Sequence, residues 1–477
     1  MTVLPTEIRD GGGSNPPKSS PAGVGTLVDG GVPVVETRVS TTQAEVVPRP
    51  GLRATSATRP GLTEQILAVV LLLVLYHETP NAWLLTLSDR ELDYSNPTSV
   101  ITLLTLVGIA FSRVWGLLDQ LIAVVRLEPM VVLFTGLALF SVLWSADPAA
   151  TVSSSGVFVA VALFSVYLVL RFSLQEIVRI FAFMFTVSGL INLYVIQVYP
   201  HVGIDRHGRL DGVFGQKNAL GYVAAMALPT LLLAARSSGK WRWVFYPSAG
   251  LQTYLLLGSE SKTMMLAGLG TMLLLIVYVA FRGRRTLPGA VGVGLVGGGS
   301  MALAFATANL AMLAQWLDKD VTLTGRVPLW EGMIPIIKER ILFGHGFGAA
   351  FNGYFSPVHE VLIQAQWEPG DSHNAVIQIW LEMGLLGVVL FLGGYLRGVT
   401  RSVKVAKFVP GAIGLWPLSI LTFGMFISVT ESGIHSDSMG WCVYLVAIFS
   451  CSGHLKYRSD HGLSNSLRES GVPIVIR

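Results

Sequence analysis

Runs of seventeen to twenty-six mostly apolar residues recur along the chain, near 62–78, 97–118, 128–145, 152–171, 176–199 and 218–236, then 241–258, 262–281, 288–313, 373–396, 411–429 and 437–453. A helix needs about 20 such residues to cross roughly 30 Å of hydrocarbon. The runs therefore predict an all-α integral membrane protein, a polytopic bundle of about twelve transmembrane helices. Composition agrees, because 13% charged residues and a mean hydropathy of +0.60 lie far from the roughly 25% charge of a soluble domain.

An even number of spans puts both termini on one side, and the cations say which. Connections after the even-numbered runs carry Arg113 and Arg126, Arg171 and Arg179, Arg236 with Lys240 and Arg242, Arg282 with Arg284 and Arg285, and Arg397 with Arg401, Lys404 and Lys407. Odd-numbered connections are acidic or mixed, with Asp89, Glu91 and Asp93, then Asp147, then Glu431 and Asp437. Lys and Arg accumulate on the cytoplasmic side, so both termini are expected in the cytoplasm.

Three regions follow. Residues 1–60 hold eight prolines, eight glycines and no aromatic residue, too little apolar surface to offset the entropy of ordering. They read as a disordered cytoplasmic tail without the apolar core of a secretory signal. Residues 61–453 form the membrane domain, including one long, partly helical outward loop at 314–372, and 454–477 form a cytoplasmic tail. The formal net charge of +4 is spread along the chain, which argues against a nucleic-acid surface. Cys442 and Cys451 face opposite sides of one apolar helix and are read as buried thiols.

Against the charge bias, Arg206, Arg209 and Lys217 crowd the outward connection "GIDRHGRLDGVFGQKNALGY", Lys262 follows the next outward turn in "SESKT", and Arg326 lies in "TGRVPLWEGM" of the long loop with Trp330. Cations kept there are suited to hold an anion. The alternative is pairing with Asp205 and Asp211 or contact with lipid headgroups. Lys217-Asn218 opens a span, so outward backbone N–H groups beside the cations could receive a phosphate. In "PGDSHNAVIQIWLEMGLLG", Asp371 or Ser372 can cap the next helix, with His373 in its first turn, where the helix dipole favours a neutral, proton-accepting ring. Asn374 either orients that ring or a substrate hydroxyl, or belongs to the cap. A headgroup-binding histidine is the plainer reading.

Other motifs are weaker. Gly292-x-Gly294-x-x-Gly297 lies within an apolar run and reads as close helix packing rather than a dinucleotide loop. Asp318-Lys319-Asp320 lacks a surrounding nucleotide-binding domain, and no HExxH, CxxC or P-loop occurs, so neither metal nor cofactor is expected. Trp241 and Trp243 read as interfacial anchors. Glu382, inside a span, must be paired or protonated.

Four ordered motifs, "LFSVLWSADPAATV", "GRLDGVFGQKNALG", "TGRVPLW" followed by "FGHGFG", and "DSHNAVIQIWLEMGLLG", resemble the O-antigen ligase and polysaccharide polymerase superfamily over roughly residues 100 to 450. Within it, Lys217-Asn218 and "SESKT" look most like exopolysaccharide-production polymerases of the ExoQ kind. The resemblance implies a GT-C-like glycosyltransferase of the bacterial inner membrane whose active site faces the periplasm. It would join glycan carried on undecaprenyl diphosphate to an acceptor, alongside membrane lipids and with a flippase and chain-length regulator of the same pathway as partners. It assigns the diphosphate to Arg209, Arg206 and Arg326, and the role of base to His373; Lys217, Asn218, Lys262, Asn374 and Trp330 are expected beside them. An O-antigen-type ligase, a twelve-span transporter or flippase and a non-catalytic assembly subunit stay open as alternatives.

Overall fold

The computed structural model describes residues 60–76, 118–281, 326–351, 356–365, 370–409, 411–429, 431–432 and 439–452, with Gly108 and Ser112. Among the described residues the regular structure is helical, and the β-pairing is one isolated bridge between Ile204 and Leu210. The membrane helices are α1 (Leu62–Tyr76), α2 (Leu118–Leu127), α3 (Pro129–Phe140), α4 (Pro148–Arg171), α5 (Leu174–Val198), α6 (Lys217–Ser237), α7 (Arg242–Gly258) and α8 (Lys262–Phe281). The loop helices α9 (Arg326–Glu339) and α10 (His359–Ala365) come next, then α11 (Ala375–Phe408), α12 (Trp416–Ser428) and α13 (Met439–Ser452).

Five of these helices are long and apolar enough to cross a membrane, six if the bent pair around Glu128 is one span, with shorter apolar helices at Leu62–Leu75, Ile413–Ser428 and Met439–Ser452. The protein is thus an all-α membrane protein, as expected. Its number of spans is five or six by length and composition among the described residues, and the figure of twelve stays an expectation. The runs at 97–118 and 288–313 lie outside these residues apart from Gly108, Ser112 and Leu118, as do the 1–59 and 453–477 tails.

Local chemistry explains the ends. Asp147 caps α4 by accepting from the Ala150 N–H at 3.0 Å, with Pro148 opening the helix, where a missing N–H costs nothing. Ser173 and Glu176 form a reciprocal capping box on α5. Pro129 pushes Glu128 out of helical geometry (φ −126°, ψ 58°), and α2 and α3 meet at 98°. The Glu128 side chain is fully buried there against Arg401 and Ser452, a charge made tolerable by its partners. Cys442 and Cys451 are free and buried.

Helix directions define one end of the bundle. Thr230 of α6 meets Trp416, and Tyr222 meets Phe423 at 5.6 Å between ring centroids, so α6 and α12 are antiparallel. Gly221 packs on Ser261 and Gly268 on Ala225, so α6 and α8 run side by side in the same direction. α12 packs against α6, α8 and α11. The starts of α6 and α8 and the end of α12 consequently share one end.

α11 reaches that end only by bending. Gly398 packs on Leu421, whereas Asn374 Nδ2 donates to Val429 O at 3.0 Å. A straight helix would place the first pair about 36 Å from the second along α11 but about 12 Å along α12. Gly384, at φ 66° and ψ −171°, breaks the helix and turns its first nine residues across the end of the bundle. Only glycine adopts this backbone readily, and a Cβ here would lie 2.2 Å from the Leu342 carbonyl.

The break is braced by the loop that contains "FGHGFG". His345 N donates to Leu381 O at 2.9 Å, Gly346 N to Glu382 O at 2.8 Å, and Leu385 N to Ile341 O at 2.7 Å, so peptide groups that the bend would orphan are paired. The same loop grips "LFSVLWSADP": Ala146 N donates to His345 O at 2.8 Å, Phe347 N to Ser141 Oγ at 3.0 Å and Trp144 Nε1 to Phe343 O at 2.9 Å. Two of the motifs behind the resemblance therefore build the support beneath the first segment of α11.

Candidate functional site

Two groups of polar side chains occupy the shared end. In the first, the 204–210 segment folds into a tight turn closed by Asp205 N to Arg209 O at 2.8 Å, with Gly208 at φ 80°. Asp205 Oδ1 accepts from the His207 and Arg209 N–H groups, and Oδ2 from Arg209 Nε at 2.6 Å. Despite some desolvation, the Arg209 guanidinium and those N–H groups pull the Asp205 carboxyl down to about 2. Pairing with Asp205 was the plainer reading for these cations, and it holds for Arg209. Arg206 stands exposed at the turn tip, and Asp211, desolvated at the loop base, titrates above the ordinary carboxylate range.

The connections that carry Arg209 and Lys262 meet. Leu210 N donates to Gly258 O at 2.9 Å, and Ser261 Oγ donates to Asn218 Oδ1 at 2.8 Å. Asn218 therefore ties the start of α6 to the start of α8. Lys217 feels the charges of Arg209, Asp205 and Glu260, and Lys262 opens α8 with its side chain exposed.

The second group gathers three segments distant in sequence. Arg326, the first residue of α9, donates from Nη2 to Glu431 Oε1 at 2.8 Å, and His373 Nδ1 lies 2.8 Å from Glu431 Oε2. The three side chains are only 11–13% exposed. Burial alone would raise the Glu431 carboxyl, but the hydrogen bond with His373 and the charge of Arg326 outweigh it and hold the group below its ordinary range. An ionised carboxylate only accepts hydrogen bonds. The Nδ1 proton is thereby assigned to His373, and Nε2 is left as the basic nitrogen.

His373 does not lie in the first helical turn. It precedes the cap at φ 50°, a left-handed conformation that costs a non-glycine residue of order 1 kcal/mol or more. The cap is Asn374 rather than Asp371 or Ser372: its Oδ1 accepts from Val376 N and Ile377 N, each at 3.0 Å. Asp371 instead accepts from His373 N at 2.7 Å, Ser432 Oγ accepts from Asn374 N at 3.2 Å, and Trp330 Nε1 donates to Ser372 O at 2.7 Å. Trp330 thus braces the turn from α9, and Asn374 is committed to the cap and to Val429.

Glu431 was read only as a charge marking an outward connection. An acid immediately after a span, on the side where unexpected cations gather, is the signal that could have singled it out. The Asp318-Lys319-Asp320 segment lies outside the described residues.

Residues 247–392 match the family model described as O-antigen ligase. The chain is similar to the O-antigen ligases. That match takes in Lys262, Arg326, Trp330, His373 and Asn374, while Arg206, Arg209, Lys217, Asn218 and Glu431 fall outside it. A second likeness is to the exopolysaccharide production protein ExoQ of Rhizobium meliloti (strain 1021), 24% identical over 273 residues, covering 54% of this chain and 61% of that protein. The chain thus spans less than two thirds of the curated relative's length. Both findings agree with the resemblance to the O-antigen ligase and polysaccharide polymerase superfamily and with an ExoQ-like relationship inside it.

Proposed function

We propose that the protein is a glycosyltransferase that polymerises oligosaccharide repeat units carried on undecaprenyl diphosphate, at the periplasmic face of a bacterial inner membrane. The observation that carries this reading is the Glu431 carboxylate shared by Arg326 and His373. An imidazole held through Nδ1 by an ionised carboxylate presents Nε2 as a general base. The ExoQ likeness favours exopolysaccharide polymerisation, and the distribution of Lys and Arg favours a periplasmic site.

In this mechanism a hydroxyl of the acceptor sugar attacks the anomeric carbon of the donor. Its proton passes to His373 Nε2 as the bond from that carbon to the phosphate oxygen breaks, inverting the centre. Negative charge builds on the departing polyprenyl diphosphate, where Arg209, Arg206, Lys217 and Lys262 provide compensation. A donor of this kind is worth about 2.7–4 kcal/mol in comparable oxyanion sites. Arg326, bonded to Glu431, carries five N–H donors in a planar fork and faces the diphosphate in this reading. The cations carry the electrostatic stabilisation, and the transfer is metal-independent in this reading. A flippase and a chain-length regulator would supply donor and limit product.

The O-antigen ligase match supports a second reading with the same chemistry, in which the acceptor is a lipid or protein. Purified protein given lipid-linked repeat units separates the two: longer glycans support polymerase, whereas transfer only to an added lipid or peptide acceptor supports ligase. Donor movement across vesicles without any new glycosidic bond would instead indicate a transporter. Glycan extension that survives the joint replacement of Arg326 and His373 by alanine would refute the mechanism.

A further inference from the structure

Two polar residues buried within α11 form a chain of hydrogen bonds to the turn that carries His373. Ser372 N donates to Gln378 Oε1 at 2.8 Å, and Gln378 Nε2 donates to Glu382 Oε1 at 2.8 Å. The Glu382 carboxyl also accepts from the Gly348 N–H of the glycine loop. Gln378 is 3% and Glu382 5% exposed, so neither is placed by solvent.

The polarity of this chain matters. The Ser372 N–H can only donate, so the Gln378 oxygen faces the turn and the amide presents its NH2 end to Glu382, which accepts. If the amide reversed, the Ser372 N–H would meet another donor, and a buried N–H without an acceptor costs about 1–3 kcal/mol. The adjoining residue, His373, is held in the left-handed region, a conformation that persists only where neighbouring contacts over-determine it. We propose that Gln378 and Glu382 are positioning residues: Glu382 orients the Gln378 amide, whose oxygen locks the 371–374 turn and so sets the His373 ring against Glu431. Because Glu382 is also held by Gly348, the glycine loop and the histidine turn share one fixed reference.

The inference rests on the proposed role of His373 as base, so the test reads the ring independently of sugar transfer. The full-length protein in detergent is treated with diethyl pyrocarbonate, and the rate of His373 modification is followed by mass spectrometry across pH. Gln378→Glu sets two acceptors face to face, and Gln378→Leu removes the link; each is expected to raise the rate roughly threefold or more by loosening the turn, the former increasingly so as pH rises. The double variant Gln378→Glu with Glu382→Gln restores a donor between positions 382 and 378 and an acceptor for both Ser372 and Gly348. It is expected to return rate and pH profile to those of the parent. Single variants that leave His373 modification unchanged, or a double variant as perturbed as Gln378→Glu, would overturn the relay. In transfer assays the single variants should lose kcat with little change in KM. The expected rise in the single variants and its reversal in the double variant, in a protein whose parent form transfers no sugar, would support the relay while rejecting the proposed function.

Discussion

Glu431 Oε2 lies 2.8 Å from Nδ1 of His373 across 58 positions of sequence, and this contact determines which ring nitrogen is basic. Glu431→Gln keeps the shape but offers an NH2 group that can reverse the tautomer. Its kcat for transfer from a lipid-linked oligosaccharide is expected to fall about 10²- to 10⁴-fold, the range of general acid–base assistance, with little effect on KM. Steady-state kinetics on the purified variant provides the check.

The same carboxylate makes stability depend on pH. Its folded value is depressed, so the unfolded chain, near pH 4.3 for glutamate, binds the proton more readily. The Arg326–Glu431–His373 contacts thus stabilise the fold fully above the unfolded value and are lost as pH falls through the folded one. The difference in thermal unfolding midpoint between the parent protein and Glu431→Gln should be large at about pH 7 and shrink at about pH 3.

Arg326→Ala leaves Glu431 with one partner fewer in an environment only 11% exposed. Loss of one member of a buried pair costs about 3–5 kcal/mol, and the neighbouring histidine reduces this towards the lower end. Unfolding monitored by temperature in detergent should show the loss, and Arg326→Lys should recover part of the stability but little of the activity, because lysine lacks the planar fork.

For the turn at 205–209, Arg209→Ala is expected to lower kcat/KM by about 10²-fold or more and to weaken inhibition by undecaprenyl diphosphate. Unchanged inhibition would remove Arg209 from the diphosphate site. Chelation with EDTA should leave transfer by the parent protein intact.

Gly384→Ala places a Cβ 2.2 Å from the Leu342 carbonyl at a φ of 66°. Since strain and clash combine, the variant should unfold at markedly lower temperature, with a destabilisation of about 2 kcal/mol or more. A scan of unfolding temperature against the parent protein decides this.

Much of this architecture was legible because apolar periodicity and length report spans directly; the starts of α6 at Lys217 and α8 at Lys262 fall at or within one residue of where the runs begin. His373 and Arg326 were legible as chemically able residues at the ends of apolar runs or in the long connection between them. Their common partner was not, since a contact between positions 326, 373 and 431 leaves no periodic trace in the chain. The break at Gly384 was hidden for a different reason: glycine in "LEMGLLG" reads as a helix packing position, and only the docking of residues 341–346 on its backbone reveals the bend. The cap moved from Asp371 or Ser372 to Asn374 because those two residues serve the turn instead, through His373 N and the link to Gln378.

Arg326, His373 and Glu431 are supplied by segments completed at widely separated moments of synthesis, and the last of them follows α12. A nascent protein truncated before that point would possess the histidine yet lack the anchor that fixes its proton. On the proposed mechanism, a competent base therefore awaits the synthesis and docking of the segment that follows α12, a built-in delay against premature chemistry by half-inserted intermediates.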